Sequence, residues 1–218
     1  HRITLARAEG PGKRRVVVGA DTGRDGIHGA SFASVELDEG SAGRRPAVQV
    51  GNPFLEKCLL EACMDLAHTD AVVAIQDLGA AGLTSSVAEA AGRVAGAGAR
   101  IDVSRVPRRE KAMTPYHGML SESQERMLVV VQRGREAEVE AIFRAWDLTS
   151  AVIGEVTDDG CLTVVDGRHE VARLPIALLT EGFPLRRLTG VAPTSRPALD
   201  VDNLPPLVDP GPPPPTLL

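Results

Sequence analysis

Four stretches of the sequence place polar and glycine residues where packing alone has no need of them. Gly19 to Ala30 (GADTGRDGIHGA) holds four glycines in twelve residues. Such a loop can bring backbone N–H groups to an anion, with Arg24 or His28 adding charge, but its spacing is neither that of a phosphate loop nor that of a dinucleotide fingerprint. A tight crossover needing positive φ explains it equally well. Pro46 to Pro53 (PAVQVGNP) runs into a helix start, where Gln49 offers a donor and an acceptor beside exposed helix amides. It can orient an amide or phosphate ligand, or simply bond to backbone. Gln76 to Ser86 (QDLGAAGLTSS) sets Asp77 at the end of an apolar run, a position that suits one oxygen ligand to Mg²⁺ or an Asx turn. Leu120 to Met127 (LSESQERM) groups Glu122, Ser123 and Gln124, a hydrogen-bonding set for a polyol or amide, or an ordinary surface loop. Ser121 is a poor nucleophile, because it lacks a GxSxG context and its possible bases, His28 and His117, are distant in sequence.

The elements that must carry these stretches alternate in period. Val16 to Gly19, Phe32 to Leu37, Ala71 to Ile75 and Met127 to Val131 read as strands. Asn52 and Pro53 open a helix whose apolar positions, from Phe54 to Leu66, spread over more than one face and predict a largely buried element. A second helix is expected from Ser86, with Glu89 completing a capping box. A third runs from Arg135 to Trp146, with Val139, Ile142, Phe143 and Trp146 on one face. Ala151–Val156, Cys161–Val165 and Glu170–Leu174 read as strands, the first two joined as a hairpin by Asp158-Asp159-Gly160. This order predicts an α/β (α+β) domain, a mixed sheet packed with helices. Residues 1–14 read as a lead-in, 15–185 as the domain and 186–218 as a linker or tail, since from Pro193 onward 9 of 26 residues are proline.

Composition narrows the class. The chain has 218 residues, 24 Lys+Arg against 29 Asp+Glu and a net charge of −5, which leaves no basic excess for a nucleic-acid backbone. No apolar run reaches the roughly 20 residues of a membrane span and no signal segment is visible, so a cytoplasmic protein is expected. Cys58, Cys63 and Cys161 fit neither a disulfide framework nor a metal site and read as buried reduced thiols.

Taken together, TGRDGIHGASFAS (22–34), PAVQVGNPFLEK (46–57), QDLGAAGLTSS (76–86), MTPYHGMLSESQERM (113–127) and IGEVTDDG (153–160) resemble the phosphoribosylformylglycinamidine synthase family of purine biosynthesis, collinearly over about Val16 to Thr180. The resemblance implies the C-terminal-type domain fold of the aminoimidazole-ribonucleotide-synthetase superfamily. It also implies an ATP-dependent ligase that makes formylglycinamidine ribonucleotide from formylglycinamide ribonucleotide and glutamine-derived ammonia. By position it assigns substrate binding to Gln49, Glu122, Ser123 and Gln124, and Mg²⁺ to Asp77. The family's ATP-binding domain, which carries the active-site histidines, has no counterpart in this chain. No catalytic residue is therefore expected here, and the chain alone should be inactive. Implied partners are that ATP-binding domain, a glutaminase domain or subunit and a small accessory subunit. Two departures stand out: Asn52 replaces the usual Asp, and His117-Gly118 replaces an acidic-apolar pair, with His117 expected in an exposed loop. A non-catalytic assembly module of the same fold is the alternative.

Overall fold

The computed structural model describes residues 4–29, 51–182 and 189–191. The strand expected at Phe32 to Leu37 and the candidate Gln49 lie outside the described residues. The chain divides into two units, His1–Phe183 and Pro184–Leu218, and every element named below belongs to the first.

Apolar runs become the central strands. β1 (Arg14–Gly19), β2 (Val72–Asp77) and β4 (Arg126–Val131) lie side by side with β5 (Thr149–Thr157) in a seven-stranded sheet of order β2-β4-β1-β5-β3-β6-β7. The others are β3 (Gly98–Asp102), β6 (Cys161–Asp166) and β7 (His169–Pro175). Neighbours are antiparallel except β3 and β6, which run parallel. β1 is buried on both faces, which is why it reads as an unbroken valine run. Val16 and Val18 join Leu59, Leu66, Val139 and Phe143 beneath α1 (Pro53–Ala67) and α4 (Glu136–Ala145). Val17 faces the opposite core with Leu83, Val87, Met119 and Ile176, from α2 (Gly82–Gly92), α3 (Pro115–Leu120) and α5 (Ile176–Thr180). Helices on both faces of a mixed sheet give the expected α/β class.

Three local expectations change. The Asp158–Gly160 turn does not close a hairpin, because β3 inserts between β5 and β6 and bonds to both; the hairpin is instead β6–β7, turning at Gly167 with φ 61°. The second helix opens at Gly82 rather than Ser86, behind Ala81 at φ 60°, and Ser86 is buried inside it. α1 is capped as expected, Asn52 Oδ1 accepting from the Leu55 N–H at 3.2 Å, but it exposes Phe54, Leu60 and Met64 and is only half buried. The lead-in is tied down: Ala8 is buried and its N–H donates to Ala90 O at 2.9 Å, while the Gly12 N–H donates to Val156 O at 2.8 Å. No helix among the described residues is long and apolar enough to cross a membrane.

Candidate functional site

The antiparallel registers bring the ends of β1 and β2 and the start of β4 to one end of the sheet, with Gly19 opposite Arg126 and Asp77 opposite Met127. Three of the polar stretches therefore converge there as loops, and the fourth reaches them through its helix. Backbone at this end approaches too closely for a side chain. A Cβ on Gly19 (φ +105°) would sit 2.1 Å from Glu125 O, and one on Gly82 (φ +54°) 2.0 Å from Ser121 O. Glycine is required at both for conformation and for space.

The loop from Ser121 to Arg126 is the hub. The Glu122 N–H donates to Asp25 O at 3.1 Å and the Gly23 N–H to Ser123 Oγ at 2.9 Å, joining it to the glycine-rich loop. Ser123 Oγ also bonds Ser121 Oγ at 3.0 Å. Glu122 Oε1 accepts from the Ala81 N–H at 2.9 Å, holding the β2–α2 loop. Glu125, left-handed at φ 55°, accepts from the Asn52 N–H at 2.7 Å through Oε1. That bond ties in the N-terminus of α1, three residues past Gln49.

The candidate residues thus divide by what their side chains do. Glu122 and Ser123 are almost wholly buried and bond the protein's own backbone. Gln124 is half-buried, its Nε2 donating to Glu122 O at 2.9 Å. Asp77 is exposed at the end of β2, and its Oδ1 accepts from Gln76 Nε2 at 2.9 Å. Gln76 Oε1 accepts in turn from Arg93 Nη1 at 2.6 Å, so a relay from α2 orients the carboxylate. Among the described residues no three His, Cys, Asp or Glu side chains group as a metal cage. Asp77 can give one oxygen, which suits a Mg²⁺ that keeps waters and phosphate ligands. His117 is not in a loop. It lies in the first turn of α3 in a capping box, its Nδ1 accepting from the Thr114 N–H at 3.2 Å and its own N–H donating to Thr114 Oγ1 at 3.3 Å.

Two residues of this site are not singled out by their sequence pattern. One is Glu125; the other is Arg126, 3% exposed, with Nε on Ser123 O at 2.8 Å, Nη1 on Thr22 Oγ1 at 3.0 Å and Nη2 on Ser121 O at 2.7 Å. Desolvation lowers its pKa to about 10, partly opposed by Asp25, so it stays charged at neutral pH. The available signal is an arginine directly before the apolar run MLVVV, where a buried guanidinium calls for acceptors.

Comparison with known proteins gives the family. The family described as "AIR synthase related protein, C-terminal domain" matches residues 10–167. The chain is 62% identical over 182 residues to the phosphoribosylformylglycinamidine synthase subunit PurL of Thermomicrobium roseum, covering 84% of this chain and 24% of that protein. To the same subunit from Caldanaerobacter subterraneus it is 60% identical over 183 residues, covering 84% and 25%. The chain therefore spans about a quarter of the length of these relatives. The structure of T. maritima PurL complexed with FGAR superposes with a TM-score of 0.76 at 36% identity, over 88% of this chain and 32% of that one. Further structures of the T. maritima protein hold ATP or form the PurLQS assembly.

Proposed function

Because the chain belongs to the AIR synthase related C-terminal-domain family, we propose that it is the substrate- and Mg²⁺-binding domain of a phosphoribosylformylglycinamidine synthase, an ATP-dependent C–N ligase of purine biosynthesis acting in the cytoplasm. The observation that carries this reading is the convergence of the motif-bearing loops at one sheet end, in a chain 62% identical to a PurL subunit. The substrate is formylglycinamide ribonucleotide, in keeping with the FGAR bound to the T. maritima protein. Gln124 and Gln49 orient its amide and hydroxyl groups, whereas Glu122 and Ser123 act by fixing the loop backbones that face it. Asp77, held by Gln76, supplies one carboxylate oxygen to Mg²⁺. The metal, when bound, offsets phosphate charge. ATP is held mainly by the separate ATP-binding domain, and ammonia comes from a glutaminase partner assisted by a small accessory subunit, in keeping with the PurLQS assembly. This chain contributes no acid–base group and is inactive alone. The domain spans 15–185, with 1–14 a lead-in and 186–218 a linker or tail.

The rival, a non-catalytic assembly module, draws on the burial of Glu122 and Ser123. Calorimetry separates the two. Formylglycinamide ribonucleotide should bind this chain in a Mg²⁺-dependent manner, and Asp77→Ala should abolish the metal dependence but leave residual binding. No binding, either alone or with the ATP-binding domain added, would establish the module. ATP- and ammonia-dependent amidine formation by the chain alone would refute its inactivity.

A further inference from the structure

Arg126 makes three side-chain hydrogen bonds at this end of the sheet, and none of the three partners lies in a strand. Thr22 is in the glycine-rich loop, and Ser121 and Ser123 flank Glu122. An arginine serving only the sheet would bond strand backbone or a carboxylate across it. Among the described residues Asp25 acts on Arg126 through charge without a salt bridge, and the hydrogen-bond acceptors of Arg126 are two carbonyls and a hydroxyl. A planar guanidinium presents donors in a fixed fork, so three acceptors on two loops determine the loops' relative placement. The amides that bridge the loops, Gly23 to Ser123 Oγ and Glu122 to Asp25 O, lie beside that fork.

We propose that Arg126 is the positioning residue of the candidate site, locking the glycine-rich loop at Thr22 to the Ser121–Ser123 turn so that both present their groups to the ligand as one rigid unit. The lock rests on the hydrogen-bond geometry alone; its value for binding formylglycinamide ribonucleotide rests on the function proposed above. Lysine keeps the charge and loses the fork, so Arg126→Lys is the informative variant.

Amide hydrogen exchange on the 218-residue chain reads the lock without ligand. In Arg126→Lys, exchange at Gly23, Glu122 and Ser123 should rise at least tenfold while amides of β5 and β6 stay within twofold. Thr22→Val should raise the same three amides at least threefold. Unchanged exchange at these amides, or a rise shared equally by β5 and β6, overturns the proposal. If Arg126→Lys does not fold, Thr22→Val is judged by the same criterion. Calorimetry then asks whether the lock serves a ligand: the Kd for formylglycinamide ribonucleotide should weaken at least tenfold in Arg126→Lys and under twofold in Arg15→Met. Equal weakening in both variants, or none in either, removes the positioning role. Absence of binding by the unmodified chain, both alone and with the ATP-binding domain added, refutes the ligand assignment, while the exchange result still decides the lock.

Discussion

The paired strands β1 and β4 each bury an arginine, at opposite ends, and the two are treated in opposite ways. Arg126, opposite Gly19, has a partner on each of Nε, Nη1 and Nη2. Arg15, opposite Val130, is fully buried, and among the described residues none of its three guanidinium nitrogens has a hydrogen-bond partner. Val130 packs with Ala8, Ala74, Ala90 and Val156, so the cross-strand neighbour of Arg15 belongs to a cluster of small apolar residues. Burial pulls both pKa values down to about 10. Desolvation is common to the two; what differs is whether the lost water contacts are replaced. One end of the strand pair is organised around its cation, while the other tolerates one.

The sharpest way to break that contrast is to remove each cation. Arg126→Met orphans three buried acceptors at about 1–3 kcal/mol each, partly re-satisfied by water, and should cost on the order of 4 kcal/mol. Urea denaturation followed at Trp146, the single tryptophan, would show it as a lowered midpoint, and a midpoint within error of the parent would contradict the assignment. Gly82→Ala forces a Cβ into Ser121 O at positive φ and should cost about 2–3 kcal/mol. Its loss should come with faster exchange at Glu122, and a silent substitution would mean that the approach of the two loops is not constrained. Arg15→Met should go the other way, raising stability by about 1–2 kcal/mol, because it removes an unpaired buried charge while keeping length and volume. Destabilisation instead would show that the guanidinium is satisfied in solution. The smallest effect concerns the core under α1. Burial, reinforced by Glu56, pushes the Cys63 thiol up to about 11, so iodoacetamide at pH 8 should label it far more slowly than a free thiol. Rapid labelling would indicate that this face opens.

The contrast also marks what a one-dimensional reading can reach. The apolar runs of β1 and β4 are legible because strands buried on both faces need continuous apolar sequence, and β2, at the sheet edge, still carries VVAI. β3, with the sequence GARID, was missed, since glycine, arginine and aspartate favour strands poorly and its place is set by β5 and β6. That insertion also parts the strands flanking Asp158–Gly160, whose turn residues favour a hairpin: adjacency in the chain is not adjacency in the sheet. At the site, composition located the polar cluster but not its orientation. Whether Glu122 faces a ligand or the Ala81 amide depends on a loop that arrives from another strand. Nor does any local pattern distinguish Arg15, at the head of a valine run, from Arg126, at the head of another.

The placement of β1 has a consequence for how the molecule comes into being. Among the described strands it is made first, yet its partners are β4 and β5, the first of which ends at Val131 and the second at Thr157. At synthesis rates of about 5–20 residues per second, the leading valines must wait roughly 5–20 s for a neighbour. During that interval a short, strongly β-prone segment is exposed without its sheet. The arginine pair Arg14-Arg15 directly ahead of it puts two positive charges beside the stickiest part of the nascent chain. An unsatisfied guanidinium that costs stability in the finished fold can in this way guard the chain against self-association before the fold exists.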